Sequence, residues 1–93
     1  MTQTATTTDT TKRIAITYHT DPGHGWLAVP HDLIATLGLK PSSFSYRDAQ
    51  FGYLEEDCDA GDFMEAVTKA GYAVQLKVEN TEHDSFIRGL SRF

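Results

Sequence analysis

Large apolar side chains occupy every second position of residues 72–79, and the positions between them hold Ala73, Gln75, Lys77 and Glu79. Because successive side chains of a strand point to opposite faces, this pattern predicts a strand with one apolar face. The apolar positions are Tyr72, Val74, Leu76 and Val78. The same period recurs near the start of the chain, at Ile14, Ile16 and Tyr18. Strands with one apolar face need a covering layer, so the sequence predicts a sheet backed by other elements.

Turn-forming residues divide the rest of the chain into short elements. Residues 20–25 contain a proline and two glycines, and they predict a turn from the first strand into a partner strand at residues 26–29. Residues 44–47 and 51–55, which are rich in aromatic side chains, predict a second hairpin. Short connections of this kind favour antiparallel pairing.

Two helices are predicted between the strands. Pro30 begins the first helix and Gly38 ends it. Asp59 is predicted to cap the second helix, Asp62 completes a capping box, and Gly71 ends the helix. A carboxy-terminal arm carries four apolar residues that pin it to the domain, Phe86, Ile87, Leu90 and Phe93. The order ββαββαβ predicts the α+β fold class, with one mainly antiparallel sheet and two helices packed on it.

The composition limits the classes of protein that fit. Residues 1–11 include seven threonines and predict a disordered tail, followed by a single α+β domain at residues 12–93. We expect a cytoplasmic protein, because no apolar run is long enough to span a membrane and no signal-peptide pattern is present. Cys58 is the only cysteine, which excludes an intrachain disulfide. The net charge of -5 argues against direct nucleic-acid binding.

Acidic residues dominate residues 48–68, which contain seven of them and no Lys or Arg. Six lie close together: Glu55, Glu56, Asp57, Asp59, Asp62 and Glu65. One interpretation is a solvated, capped helix start, because carboxylates there complement the helix dipole. The other is a negative surface that docks on a basic one, since six acids exceed what capping needs. The candidate aromatic anchors of that contact are Trp26, Tyr46 and Tyr53.

The sequence gives little support for a metal-binding or catalytic motif. Asp57 and Asp59 form a D-x-D, but a calcium loop that starts at Asp57 lacks glutamate at its twelfth position. The spacing of His19, His24 and His31 matches no familiar zinc pattern, although hairpin and helix-start positions can converge in space. No serine lies in a G-x-S-x-G elbow. We therefore expect no enzyme and no cofactor.

Residues 25–41, GWLAVPHDLIATLGLKP, resemble the core motif of AbrB and MazE-type swapped-hairpin transcription factors. The shared pattern is a strand, a helix begun by proline and a glycine stop. This resemblance implies an intertwined dimer that binds DNA through basic side chains after the glycine and after the helix proline. Trp26 and His31 stand near those positions in this sequence.

Two broader resemblances bear on function. The folded part is similar to a type of small acidic bacterial protein that carries GHGWLAVP, SYRDAQFGYLEEDCDAG and an aromatic carboxy terminus. In size and charge, the chain also resembles inhibitors carried by phages and plasmids, among them anti-CRISPR and anti-restriction proteins. The second resemblance implies a protein that blocks a nucleic-acid-binding complex.

The sequence therefore predicts a small acidic protein-binding module. We expect it to cover a basic surface of a protein or nucleoprotein complex and to inhibit by occlusion. One alternative is an AbrB-like dimeric transcriptional regulator, and another is a small metal-binding protein or enzyme. No membrane contact is expected. A domain of this size buries modest surface, so a monomer and a homodimer both remain open.

Overall fold

The computed structural model describes residues 12–93, which form a six-stranded sheet with two α-helices. The tail predicted at residues 1–11 lies outside the described residues. The strands are β1 (Lys12–Thr20), β2 (Gly25–Pro30), β3 (Tyr46–Arg47), β4 (Phe51–Glu55), β5 (Tyr72–Asn80) and β6 (Ser91–Arg92). The helices are α1 (His31–Thr36), α2 (Asp59–Lys69) and a 3-10 helix at Phe86–Gly89. Within residues 12–93, no helix is long and apolar enough to cross a membrane.

The sheet has the strand order β5-β1-β2-β4-β3-β6. Both predicted hairpins are present, since β1 pairs antiparallel with β2 and β3 pairs antiparallel with β4. The pairs β2–β4 and β3–β6 are antiparallel as well. β5 pairs parallel with β1 along its whole length, from Lys12 beside Tyr72 to Thr20 beside Asn80. The predicted α+β class, with a mainly antiparallel sheet and two packed helices, is confirmed.

One face of the sheet is covered by α1 and α2. Its buried core draws on both helices and the central strands, with Ile16, Leu27, Val29, Ile34, Leu54, Ala60, Phe63 and Val67. Gly38 follows α1 with a φ of 70°, a conformation that glycine adopts without a Cβ clash. Residues 25–41 thus have the predicted strand, proline-led helix and glycine stop, and β2 lies between β1 and β4 of the same chain.

The other face of the sheet is covered in part by the carboxy-terminal segment. A second core cluster forms there from Trp26, Ala28, Tyr46, Tyr53 and Ile87. Ile87 comes from the 3-10 helix and is fully buried, and Leu90 packs beside it. β6 then pairs with β3 at the edge of the sheet. The arm is thus held by three of its four predicted apolar residues, because Phe93 packs against the first core cluster, whereas Phe86 is exposed.

An ion pair between a buried carboxylate and a half-buried guanidinium holds the carboxy-terminal segment to the β1–β2 turn. Arg88 donates from Nε and Nη2 to the two carboxylate oxygens of Asp21, over 2.6 and 2.9 Å. The same carboxylate accepts the backbone N–H groups of Gly23, His24 and Ser85. The Arg88 guanidinium holds the pKa of Asp21 well below its ordinary value, because it stabilises the charged form. One carboxylate thus joins the β1–β2 turn to the carboxy-terminal segment.

Three local predictions differ from the structure. β3 is shorter than expected, and Phe44 lies before it with 61 % of its surface exposed. The prediction that Asp59 caps α2 is wrong: Asp59 is the first helical residue, and Cys58 at the cap position makes no side-chain cap bond. The predicted apolar face of β5 is only partly covered, because β5 is an edge strand, and Leu76 and Val78 are exposed.

Replacing Asp21 tests how much the Asp21–Arg88 ion pair contributes to the free energy of unfolding. Asp21→Asn is expected to lower the free energy of unfolding by about 3 kcal/mol at neutral pH, because it leaves the Arg88 guanidinium without a counter-charge. The exposed control Glu82→Gln should stay within about 0.5 kcal/mol of the wild type. Urea unfolding measures both changes.

The pH dependence of that difference follows from the lowered pKa of Asp21. A carboxyl whose pKa falls on folding stabilises the protein above its unfolded-state pKa of about 3.9, and the stabilisation declines at lower pH. The unfolding free energies of wild type and Asp21→Asn should therefore converge below about pH 4. A constant difference down to about pH 2.5 would contradict this assignment.

Candidate functional site

A cleft of about 360 Å³ opens where the β1–β2 turn, the end of β4 and the carboxy-terminal segment meet. Its walls combine aromatic side chains with charged side chains of both signs, among them Trp26, Phe44, Tyr46, Glu55, Asp57 and Arg92. Pairing of β2 with β4 sets this meeting point, because it places Trp26 beside Glu55. The cleft therefore depends on sheet register.

Arginine side chains cover the aromatic wall of the cleft. Trp26 is 1 % exposed and meets Tyr46 edge-on, with ring centroids 6.2 Å apart. The guanidinium of Arg88 lies 5.4 Å from the Trp26 ring centroid, and that of Arg92 lies 4.9 Å from the Tyr46 centroid. Both distances are in the range of cation–π attraction. The charge of Arg88 is already matched by Asp21.

The acidic wall begins at the last residue of β4. Glu55 is 8 % exposed, and its Oε1 accepts the backbone N–H of Asp57 over 2.9 Å. Its Oε2 is buried and has no hydrogen-bond partner among the described residues, although His24 Nδ1 lies 3.3 Å away. Potential ligand atoms of His24, Glu55, Glu56 and Asp57 all lie within 4.8 Å of one another. We call these four residues the histidine–acid cluster.

Tyr18 of β1 orients the next acid of the loop. Its hydroxyl donates to Glu56 Oε1 over 2.8 Å, and this bond raises the pKa of Tyr18 to about 12. The backbone N–H of Glu56 donates to the Gly25 carbonyl over 3.0 Å. A Cβ at Gly25 would overlap the Tyr18 ring, so glycine permits this close approach. The β4–α2 loop is thereby held against the β1–β2 turn.

A third buried carboxylate, that of Asp59, ties the loop before β3 to α2. Its Oδ2 accepts the backbone N–H and the hydroxyl of Ser42, both over 2.9 Å, and the hydroxyl of Ser45. Ser45 Oγ in turn accepts the backbone N–H of Glu55 over 3.0 Å. These bonds explain why Asp59 does not cap α2. They also fix the position of Phe44, which lies between the two serines.

The fold divides the run of six acids into two groups. Glu55 and Asp59 are buried and belong to the hydrogen-bonded networks just described. The exposed members, which we call the acidic surface, are Glu56, Asp57, Asp62 and Glu65. Sequence alone does not separate the two groups, because the burial of these acids depends on tertiary contacts with the loop before β3.

The three predicted aromatic anchors are buried in the second core cluster. Trp26 and Tyr46 carry the arginines, and the Tyr53 hydroxyl donates to Asp48 Oδ2 over 2.7 Å. Burial, together with Asp48, raises the pKa of Tyr53. Phe44 is instead the aromatic residue of the cleft that reaches solvent.

The histidines considered in the sequence do not gather at one place. His19 packs edge-on against the rings of Tyr53 and Phe86, and burial lowers its pKa. His31 begins α1, and its Nε2 lies 2.8 Å from the Asp48 carbonyl oxygen. His24 is the one that reaches the acids of the β4–α2 loop. No spacing rule links a turn residue to that loop, so sequence reasoning missed the pair.

Comparison with known proteins adds no relative: no protein-family model, curated protein or solved structure matches this chain. The cleft combines the exposed carboxylate of Asp57 and the exposed ring of Phe44 with the guanidinium groups of Arg88 and Arg92. The carboxylate suits binding of a cation, and the ring suits binding of an apolar group next to it.

The Asp59 network should contribute measurably to stability. Asp59→Ala is expected to lower the free energy of unfolding by about 3 kcal/mol, because donors of Ser42 and Ser45 lose a buried acceptor. Asp62→Ala is the matched control, since Asp62 lies exposed in the same first turn, and it should cost no more than about 1 kcal/mol. Chemical denaturation that shows equal losses would refute the role of the network.

Proposed function

We propose that this chain is a protein-binding module that docks its acidic surface on a basic surface of a partner protein or nucleoprotein complex. The observation that carries the proposal is the position of Phe44. Its ring is 61 % exposed and borders the same cleft as Asp57. Interface centres combine an aromatic anchor with a polar rim, and an exposed ring beside exposed carboxylates has that composition.

The exposed acids of the β4–α2 loop and of α2 favour a basic partner. Glu65 is paired with Lys69 over 3.5 Å, and the Arg88 charge is matched by Asp21. Asp57 and Asp62 form no ion pair with another residue in the described part of the chain. Carboxylates of this kind attract Lys and Arg side chains and accelerate encounter with a basic surface.

The proposed mode of action is occlusion. Phosphates and carboxylates compete for the same Lys and Arg side chains, so a basic surface covered by this chain is withheld from nucleic acid. Exposed charges mainly raise the association rate, whereas a buried aromatic anchor slows dissociation. We therefore expect the acidic surface to determine the association rate and Phe44 to determine the dissociation rate.

Charge reversal tests the acidic surface. Asp57→Lys combined with Asp62→Lys should weaken binding about tenfold or more, because two attractive contacts become repulsive. The matched control reverses Glu82 and Asp84, two exposed acids between β5 and the 3-10 helix, and changes the net charge by the same amount. The measurement is affinity capture from lysate of the encoding organism, followed by titration of the captured protein.

The two double variants give opposite outcomes if the proposal holds. The captured protein should be lost with the first variant, kept with the control, and released by nucleic acid added in competition. Loss with both variants would indicate a nonspecific charge effect. Retention with both would refute docking through the acidic surface.

Truncating the exposed ring tests the anchor. Phe44→Ala should leave the unfolding free energy within about 0.5 kcal/mol of wild type, because the ring is exposed. The same variant should raise the dissociation rate of the captured partner about tenfold or more. Phe86→Ala, which removes another exposed ring, is the control. Equal dissociation rates for wild type and Phe44→Ala would refute the anchor.

A further inference from the structure

The histidine–acid cluster has the composition of a metal site. His24 comes from the β1–β2 turn, Glu55 ends β4, and Glu56 and Asp57 follow in the loop. One imidazole with three carboxylates suits divalent first-row transition metals, whereas calcium and magnesium prefer oxygen ligands alone. All four ligand atoms fall within 4.8 Å of one another, which is close enough to surround one ion.

Glu55 supplies an independent reason to expect an ion there. A buried carboxylate oxygen without a hydrogen bond is costly, because it has lost water and gained no donor. Glu55 is 8 % exposed, and its Oε2 has no hydrogen-bond partner among residues 12–93. Oε1 is held by the Asp57 N–H, so Oε2 is the oxygen turned to His24. A cation between these atoms would satisfy it.

The distance between the two best-placed ligand atoms fits tetrahedral zinc. Zinc lies about 2.0–2.1 Å from imidazole nitrogen and from carboxylate oxygen, so two ligands of a tetrahedron are about 3.3–3.4 Å apart. His24 Nδ1 and Glu55 Oε2 lie at ion-pair distance, 3.3 Å apart, without a hydrogen bond between them. A zinc ion bound between these two atoms would require no change in their separation.

The other acids of the cluster are positioned by bonds that leave oxygens available. Tyr18 donates to Glu56 Oε1, and the Glu56 N–H is bound to the Gly25 carbonyl. Partners of this kind orient metal ligands. Asp57 is exposed, and its backbone N–H holds Glu55. The ligand set is thus largely arranged by the fold itself.

We propose that His24, Glu55, Glu56 and Asp57 bind one divalent transition-metal ion, with Zn²⁺ the best match. The proposal does not rest on the proposed function, because it is argued from His24 and Glu55, which the acidic surface does not contain. Glu56 and Asp57 are shared between the two. A bound ion would therefore lower the negative charge of the acidic surface and weaken its attraction for a basic partner.

Calorimetric titration of the metal-free full chain with zinc chloride tests the site. We expect one equivalent to bind and the melting temperature to rise with zinc concentration. His24→Ala and Glu55→Gln should each weaken binding tenfold or more, while the metal-free His24→Ala variant should unfold like wild type because His24 is exposed. His83→Ala, which removes an exposed histidine of the loop before the 3-10 helix, should bind zinc as wild type does.

Two further variants separate the proposed ligand set from other zinc sites. Cys58→Ser should retain binding, because Cys58 is outside the cluster, and Tyr18→Phe should weaken it about tenfold by releasing Glu56. Cobalt in place of zinc should give the intense visible absorption of a tetrahedral site. Absence of one-to-one binding, unchanged affinity in His24→Ala, or loss of binding in Cys58→Ser would each overturn the proposal. Asp62→Lys leaves the four ligands intact, so a loss of partner capture in that variant bears on the proposed function alone.

Discussion

The pairing of Asp21 with Arg88 is the interaction on which the covering of the second face of the sheet depends. The Asp21 carboxylate accepts five hydrogen bonds. Two come from the Arg88 guanidinium, two from backbone N–H groups in the β1–β2 turn, and one from the backbone N–H of Ser85, the residue before the 3-10 helix. A buried carboxylate is tolerated only when it is paired and fully hydrogen-bonded. Because that pairing holds the carboxy-terminal segment, Ile87 packs in one cluster with Trp26 and part of the second face of the sheet is covered.

The same anchoring creates the cleft. The segment that covers part of the second face brings Arg88 and Arg92 onto the aromatic rings, while the β2–β4 register brings Glu55 to the opposite wall. Asp59 and its two serines hold the adjacent loop and present Phe44 to solvent. The candidate binding residues therefore lie beside three buried or half-buried polar networks, those of Asp21, Glu55 and Asp59. Each of these networks also stabilises the fold. A metal ion and a basic partner would both draw on Asp57 there.

Local patterns predicted the elements well because their causes are local. Alternation placed β1 and β5, and proline and glycine signals placed the turn, α1 and the end of α2. The cap of α2 was wrong because Asp59 satisfies distant serine donors instead of its own helix. The parallel β1–β5 pairing was not predicted either, since parallel partners are selected by the crossover through α2 and not by a short turn.

The amino-acid sequence by itself determined the α+β class, the two hairpins, the two helices and the excess of acids near α2. Only the tertiary structure decided which acids are buried, which aromatic ring is exposed and which histidine meets the carboxylates. The reason is physical: period, turn chemistry and capping act over a few residues, whereas His24 and Glu55 meet through sheet register. Tertiary contacts between distant segments thus assemble the candidate site from residues that no local pattern connects.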